Sequence, residues 1–220
     1  MRKDYEQSCG LARALDVVGE RWTLLIVREL LAGPKRFRDL LDGLPGIPPS
    51  LLTSRLKQMQ ASGLLGKETL PPPAGSTVYR LTQVGAALEG ALFALGGWGL
   101  KHGRKLRPTD ASRSGWLVVV LRGLFRPEAG AGLHDTYELR LPEGPLRLSV
   151  DDRVLTVEEG SAPNPRVVLE GKQPAVMAVV TGAVPPQTAV QRRDLKIHGD
   201  RKAVGRLVAA FAAPGAPAAP

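Results

Sequence analysis

The order of the segments in the first half of this chain constrains its fold more than any other feature. Four segments have the apolar spacing of helices, and two strand-like segments and a long helix follow them: residues 9–18, 22–31, 37–41, 50–61, 64–70, 77–81 and 83–102. A proline-rich stretch at residues 71–76 forms the tip between the two strands, and Thr82 is placed to cap the long helix. This order predicts a winged helix-turn-helix domain, in which the fourth helix is the recognition helix.

The second half of the chain has a different pattern. It contains an apolar helix, four short segments with β-type alternation, two helices, a strand and a final amphipathic helix: residues 114–125, 135–141, 146–151, 154–159, 166–169, 173–181, 186–192, 194–198 and 200–211. A strand meander followed by helices favours an α+β layer. The predicted organisation is a DNA-binding and dimerisation domain at 1–104, a linker at 105–112, a ligand-binding domain at 113–213 and a disordered tail at 214–220.

Positive charge is concentrated in the first half. The chain carries a net charge of +9; residues 1–107 hold 16 lysines and arginines against 9 acidic residues, and residues 108–220 hold 14 against 12. A generally basic proteome would spread this excess more evenly, so we expect the first half to meet a polyanion, double-stranded DNA.

Several function classes lack support in the sequence. One cysteine excludes an intramolecular disulfide and multi-cysteine metal sites, and the three histidines match no zinc spacing. The sequence contains no phosphate-binding loop, nucleophile elbow or paired-carboxylate motif, so we expect no enzyme, metal or cofactor. The start has no apolar leader and the longest apolar run, residues 116–121, cannot span a bilayer, so we expect a cytoplasmic protein without membrane association.

A helical projection divides the predicted recognition helix into two faces. With about 100° per residue, Leu52, Leu56 and Met59 share a buried stripe. Ser50, Ser54, Lys57 and Gln58 lie opposite, where short, amide and cationic side chains can approach base edges, and Thr53 and Arg55 flank the stripe near phosphates. An ordinary solvated face is the alternative, but the preceding short helix, the glycine-bearing turn and the basic hairpin favour DNA.

The hairpin carries one cation on each strand, and these side chains either contact phosphates or pair with acids such as Glu68. The full predicted DNA-binding set is Arg36, Ser50, Thr53, Ser54, Arg55, Lys57, Gln58, Lys67 and Arg80.

The first half resembles the HxlR-type winged-helix regulators. The resemblance covers roughly residues 8–102 and is carried by the stretches LDVVGERWTLLI (15–26), RELLAGPKRF (28–37), LTSRLK (52–57), SGLL (62–65) and YRLTQVG (79–85). It implies a homodimer held by the N-terminal helices and the long helix after the hairpin. Two departures stand out: Cys9 is followed by Gly10 where such proteins have a Cys-Pro pair, and Pro48-Pro49 precede the recognition helix, which suggests a later helix start.

The second half resembles the sterol-carrier-protein fold, through the stretches TGAVPPQTA (181–189) and DLKIHGD (194–200). This resemblance covers about residues 115–212 and implies a mostly antiparallel sheet covered by helices, with an apolar cavity for a hydrophobic small molecule. The candidate lining is Val167, Leu169, Val176, Met177, Val179, Val180, Leu195 and Ile197. The alternative is that these residues fill a solid core.

Cys9 has two interpretations. The resemblance implies that a cysteine at this place can sense oxidants, which requires an exposed thiolate that Arg13 would favour; a small packing residue is the alternative.

The predicted function is a one-component bacterial transcriptional regulator that binds a pseudo-palindromic operator as a homodimer and responds to a hydrophobic effector. Leu88, Leu92, Leu95 and Trp98 are expected to contribute to the two-fold interface, although part of this stripe can lie on the protein's own second helix. The competing hypothesis is a lipid carrier whose N-terminal DNA-binding domain is degenerate. Such a protein would not shift the DNA upstream of its own gene in a gel-shift assay.

Overall fold

The computed structural model describes residues 4–71, 75–103 and 113–211. The chain divides between residues 111 and 112 into two compact units. The predicted linker at 105–112, the predicted tail at 214–220 and residues 72–74 of the predicted hairpin tip lie outside the described residues. In the part of the chain that the structure describes, no helix is both long and apolar enough to cross a membrane.

The N-terminal unit has the element order predicted from the sequence. Its elements are α1 (Gly10–Val18), α2 (Thr23–Leu31), α3 (Phe37–Gly43), α4 (Pro49–Ala61), β1 (Leu65–Thr69), β2 (Thr77–Leu81), α5 (Gln83–Ala86) and α6 (Glu89–His102). Strands β1 and β2 pair antiparallel with Lys67 opposite Tyr79, and Lys35 bridges to the other side of Tyr79. The hairpin is therefore anchored to the segment before α3.

Two details of this unit differ from the sequence prediction. The single long helix predicted over residues 83–102 is divided into α5 and α6. At the junction the Leu88 amide donates to the Gly85 carbonyl three residues back, a 3₁₀-type bond in place of the α-helical one. The predicted cap is present, since the Thr82 hydroxyl accepts a hydrogen bond from the Gly85 amide. Helix α4 starts at Pro49 rather than later, because proline suits the first helical position, where the amide needs no partner.

The core of the N-terminal unit lies between α2, α4 and the hairpin. Leu52, Leu56 and Met59 of α4 are buried, which confirms the predicted apolar stripe. They are buried together with aliphatic residues of α2, α3 and the hairpin: Ile26, Val27, Leu30, Leu40, Leu65 and Val78. This burial holds the opposite face of α4 toward solvent.

The C-terminal unit is a five-stranded sheet with helices. Its elements are α7 (Leu117–Leu124), β3 (His134–Leu141), β4 (Gly144–Asp151), β5 (Val154–Glu159), β6 (Val167–Gly171), α8 (Gln173–Val180), α9 (Pro186–Gln191), β7 (Leu195–Gly199) and α10 (Arg201–Phe211). The strand order is β5-β4-β3-β6-β7, with β3 and β6 parallel and the other pairs antiparallel. The predicted α+β class and mostly antiparallel sheet are confirmed.

The two faces of this sheet differ in polarity. Aliphatic and aromatic side chains on one face are buried, among them Tyr137, Leu139, Leu148, Val157, Val167 and Leu169. Helix α7 contacts β5, and α8 and α10 contact β6. The other face carries cross-strand ion pairs, including Arg147 with Glu158 and Arg140 with Glu170. One apolar and one charged face are typical of a two-layer antiparallel sheet.

Candidate nucleic-acid interface and ligand groove

The outer face of α4 is polar and open to solvent. Ser50, Thr53, Ser54, Lys57 and Gln58 are all exposed, on the side of the helix away from the buried stripe. The Thr53 hydroxyl donates to the Pro49 carbonyl at 2.9 Å, so its proton is used within the helix. The remaining side chains present hydroxyl, amide and ammonium groups, which can all hydrogen-bond to base edges or phosphates.

Arg55 is placed differently from the phosphate-facing position predicted for it. The residue is only 8% exposed, and its guanidinium donates to Oε2 of Glu20 at 3.0 Å and to Oε1 of Gln58 at 2.6 Å. Its Nε is buried with no hydrogen-bond partner in the described part of the chain. Glu20 lies between α1 and α2, so this ion pair joins α4 to the α1–α2 connection.

The hairpin cations and Arg36 remain at the surface. Lys67 Nζ lies 5.3 Å from the centroid of the Tyr79 ring, a cation–π distance, while Arg80 pairs with Glu68 at 2.8 Å. The pairing with Glu68 that the sequence left open is thus present, but both side chains of that pair are exposed. Arg36 is exposed at the start of α3, where its backbone amide bonds Asp39.

Apolar side chains are exposed on the helices expected to form a two-fold interface. Leu95 and Trp98 of α6 are 54% and 64% exposed, and Leu11 of α1 is also exposed. Leu88 and Leu92 are half-buried, and α6 contacts α2, so part of the predicted stripe does lie on the protein's own second helix.

Cys9 is exposed at the N-cap of α1. The nearby backbone amides of Ala12 and Leu11 lower the pKa of its thiol. These amides, rather than the Arg13 side chain named in the sequence analysis, favour the thiolate in the structure.

The predicted ligand lining is mostly core. Val167, Leu169, Val176, Val179, Val180 and Leu195 are buried, while Met177 and Ile197 are half-buried. A groove of about 630 Å³ instead lies between α9, β7 and α10, and Ile197 belongs to its lining. Leu195 borders a second, shallower depression of about 560 Å³ that is lined by several charged residues.

The 630 Å³ groove combines an aliphatic floor with a polar rim. Pro186, Val190, Ile197 and Val204 supply the apolar lining, and two amides and two cations complete it: Gln187, Gln191, Arg201 and Lys202. Gly205 also lines the groove, and a Cβ added there would meet nothing within 4 Å beyond its chain neighbours and the backbone of its own helix. Such a surface suits a hydrophobic molecule with a polar end.

A buried carboxylate, Asp135, fixes α10 to the sheet, and it was not among the residues predicted from the sequence. Asp135 is 5% exposed and accepts from Arg206 at 2.8 Å and from the Tyr137 hydroxyl at 3.0 Å, with Arg166 at 2.6 Å. Burial raises the pKa of Asp135, but the bonds from Arg206 and Tyr137 outweigh it, so the net pKa is lowered. Burial and the same carboxylate raise the pKa of Tyr137. The available signal was that Asp135 and Tyr137, two apart on a strand, must share the core-facing side.

Comparison with known proteins identifies both halves of the chain. Residues 17–107 match the family described as HxlR-like helix-turn-helix, and residues 126–212 match the SCP-2 sterol transfer family. The chain is 32% identical over 85 residues to the HTH-type transcriptional regulator YodB of Bacillus subtilis (strain 168), an alignment that covers 39% of this chain and 76% of that protein.

A second relative is more similar over a smaller share of its length. The chain is 43% identical over 90 residues to the uncharacterized HTH-type transcriptional regulator Rv3095 of Mycobacterium tuberculosis (strain ATCC 25618 / H37Rv), covering 41% of this chain and 56% of that protein. Among solved structures, the reduced form of YodB from B. subtilis has a TM-score of 0.40 and 28% identity, and covers 47% of this chain and 100% of that chain.

Proposed function

The chain belongs to the HxlR-like helix-turn-helix family, with an SCP-2 sterol transfer domain after it, and we propose that it is a transcriptional regulator that binds double-stranded DNA as a homodimer. The observation that carries the proposal is the polar outer face of α4, which is exposed along the helix while its apolar stripe is buried. The relatives are named as transcriptional regulators, and we propose a role in DNA binding rather than in catalysis.

In this proposal α4 enters the major groove. Ser50, Ser54, Lys57 and Gln58 approach base edges, where hydroxyl, amide and ammonium groups discriminate between base pairs. Lys67 and Arg80 of the hairpin reach the backbone, where they contribute affinity without sequence information. Residues 1–107 hold 16 basic and 9 acidic residues, and this net positive charge supports the electrostatic contribution.

The exposed apolar side chains support a dimer. Leu95 and Trp98 on α6 and Leu11 on α1 are large hydrophobic residues that a second copy of the chain would cover. A two-fold arrangement would set two recognition helices about one DNA turn, roughly 34 Å, apart, and would require a pseudo-palindromic operator.

We further propose that the C-terminal unit binds a hydrophobic small molecule that modulates DNA binding. The groove between α9, β7 and α10 supports this role because its floor is aliphatic and its volume is about 630 Å³, within the range of small-molecule sites.

Binding to the DNA upstream of the protein's own gene tests the proposal. The parent protein should footprint a pseudo-palindromic site there, whereas a carrier with a degenerate head would not. Ser54→Glu should abolish specific binding, because a carboxylate would oppose the phosphate potential and cannot reproduce the hydroxyl's base contacts. Ser161→Glu, at another exposed serine that lies in the C-terminal unit, is the matched control. Unchanged operator binding by a folded Ser54→Glu protein would contradict the assignment of this face.

A further inference from the structure

The exposed side chain of Gln58 on α4 is held in a fixed orientation by the buried side chain of Arg55. Arg55 NH1 donates to Oε1 of Gln58 at 2.6 Å, and Arg55 NH2 donates to Glu20 at 3.0 Å. Arg55 itself is 8% exposed, whereas the Glu20 side chain is 69% exposed. The three residues thus form a chain of hydrogen bonds from the α1–α2 connection, through a buried guanidinium, to an exposed amide.

The chemistry of arginine decides which way the amide points. A guanidinium has only donors, so the group that Gln58 turns toward Arg55 must be its carbonyl oxygen. A charge-assisted bond to a guanidinium is stronger than a neutral one, and Arg55 is also held by Glu20. Consequently the NH2 group of Gln58, with its two donors, is the end of this exposed amide that is turned away from Arg55.

We propose that Glu20 and Arg55 are positioning residues that make Gln58 a donor-only reader of its base pair. The inference rests on the proposed function, because it requires α4 to lie in the major groove. A free glutamine recognises adenine through two bonds, accepting from N6 and donating to N7. Because its oxygen is turned toward Arg55, Gln58 directs its two N–H donors at the base, which suits an edge of acceptors such as O6 and N7 of guanine. The N6 amino group of adenine would meet these donors rather than the amide oxygen.

The experiment measures base preference at one operator position. Each base pair of the footprinted site is substituted in turn, and the pair at which Gln58→Ala loses discrimination is the pair that Gln58 reads. At that pair the parent should prefer guanine over adenine. Arg55→Met keeps an unbranched buried side chain but frees the amide, so the adenine-to-guanine affinity ratio should rise on the order of tenfold, about 1.4 kcal/mol.

Two further variants test the chain of bonds from its exposed end. Glu20→Ala removes a solvent-exposed side chain and leaves the Arg55 side chain in place to pack, so it serves if Arg55→Met fails to fold. It should shift the preference in the same direction, by less, because Arg55 keeps its bond to Gln58 but loses its second anchor. Glu6→Ala removes another exposed acid of the same unit and should leave the preference unchanged.

The outcomes separate this inference from the proposed function. If Arg55→Met weakens all sequences alike and lowers the salt dependence by about one unit, then Arg55 is a phosphate contact and the inference is overturned. If Gln58→Ala discriminates at every base pair as the parent does, the inference is also overturned. The proposed function still holds in that case, as long as the parent footprints the upstream DNA. A parent protein that binds no upstream DNA removes both.

Discussion

Filling the groove of the C-terminal unit at Gly205 should abolish ligand binding without destabilising the fold. Gly205 lies inside α10, and a Cβ built there meets nothing within 4 Å beyond its chain neighbours and the backbone of its own helix, so a larger side chain extends into the groove rather than into the core. A glycine inside a helix costs about 1 kcal/mol relative to alanine. Gly205→Ala should therefore raise the free energy of unfolding by up to about 1 kcal/mol and leave the groove open.

Gly205→Phe should retain part of this stabilisation, because phenylalanine is also a better helix former than glycine. Its ring would occupy the space between α9 and α10 that the ligand needs. For a unit of this size, 1 kcal/mol corresponds to roughly 4–8 °C in melting temperature, which a thermal melt resolves.

The assay is displacement of a fluorescent fatty-acid analogue from the full chain. The parent and Gly205→Ala should bind the probe and Gly205→Phe should not. Val180→Trp is the contrasting variant: Val180 is fully buried, so a larger ring there should overpack the core at a cost of about 1–3 kcal/mol or more.

Two results would refute the placement of the ligand. Probe binding that survives Gly205→Phe would exclude the groove as the site. A Val180→Trp protein that melts at the parent's temperature but no longer binds the probe would place the ligand in the cavity that the sequence resemblance implied, with Val180 in its lining.

Three other predictions concern DNA affinity, assembly and acid stability. Lys67→Ala or Arg80→Ala should weaken binding to all sequences alike and lower the salt slope by about one unit for each lost phosphate contact; a base-specific effect in a salt titration would contradict this role. Trp98→Glu should sediment as a monomer at micromolar concentration, where the parent should sediment as a dimer, because it places a charge in the proposed apolar interface. Asp135→Asn should lower the free energy of unfolding by about 1.5–3 kcal/mol at neutral pH, since Arg166 and Arg206 lose a charged acceptor. Because folding lowers the pKa of Asp135, its contribution is present at neutral pH and is lost as the pH falls from about 4 through the lower folded value, so the melts of parent and variant should approach each other only below about pH 4.

The sequence predicted the elements well because their signals are local. Alternation over residues 154–159 gave the bounds of β5 as the structure has them, and Thr82 caps α5 as predicted. The division of the helix after Ala86 was missed, because its apolar pattern runs on through a junction set by one backbone bond between Leu88 and Gly85. Periodicity reports which face is apolar, but it does not report such a change in hydrogen bonding.

The sites were less predictable because distant elements assemble them. The Asp135 cluster joins β3 to α10 and to Arg166, which precedes β6, and Arg206 is 71 residues away in the chain. The groove likewise needs α9, β7 and α10 together, whereas most of the aliphatic residues predicted to line a cavity, such as Val176, are buried. Hydrophobicity alone cannot separate a residue that lines a groove from one that fills the interior.

The recognition helix shows why a count of cations overstates DNA contacts. Arg55 and Arg80 are both paired with glutamates at about the same distance, 3.0 and 2.8 Å, yet their surroundings differ. The Arg80–Glu68 pair is exposed on both sides, and such pairs contribute about 0–1 kcal/mol, so a phosphate can replace Glu68 at little cost. Arg55 is buried, and reaching a phosphate would require it to leave both Glu20 and Gln58 unbonded. The availability of a cation for DNA is therefore a tertiary property, and Arg80 should contribute to the salt slope while Arg55 contributes to base preference.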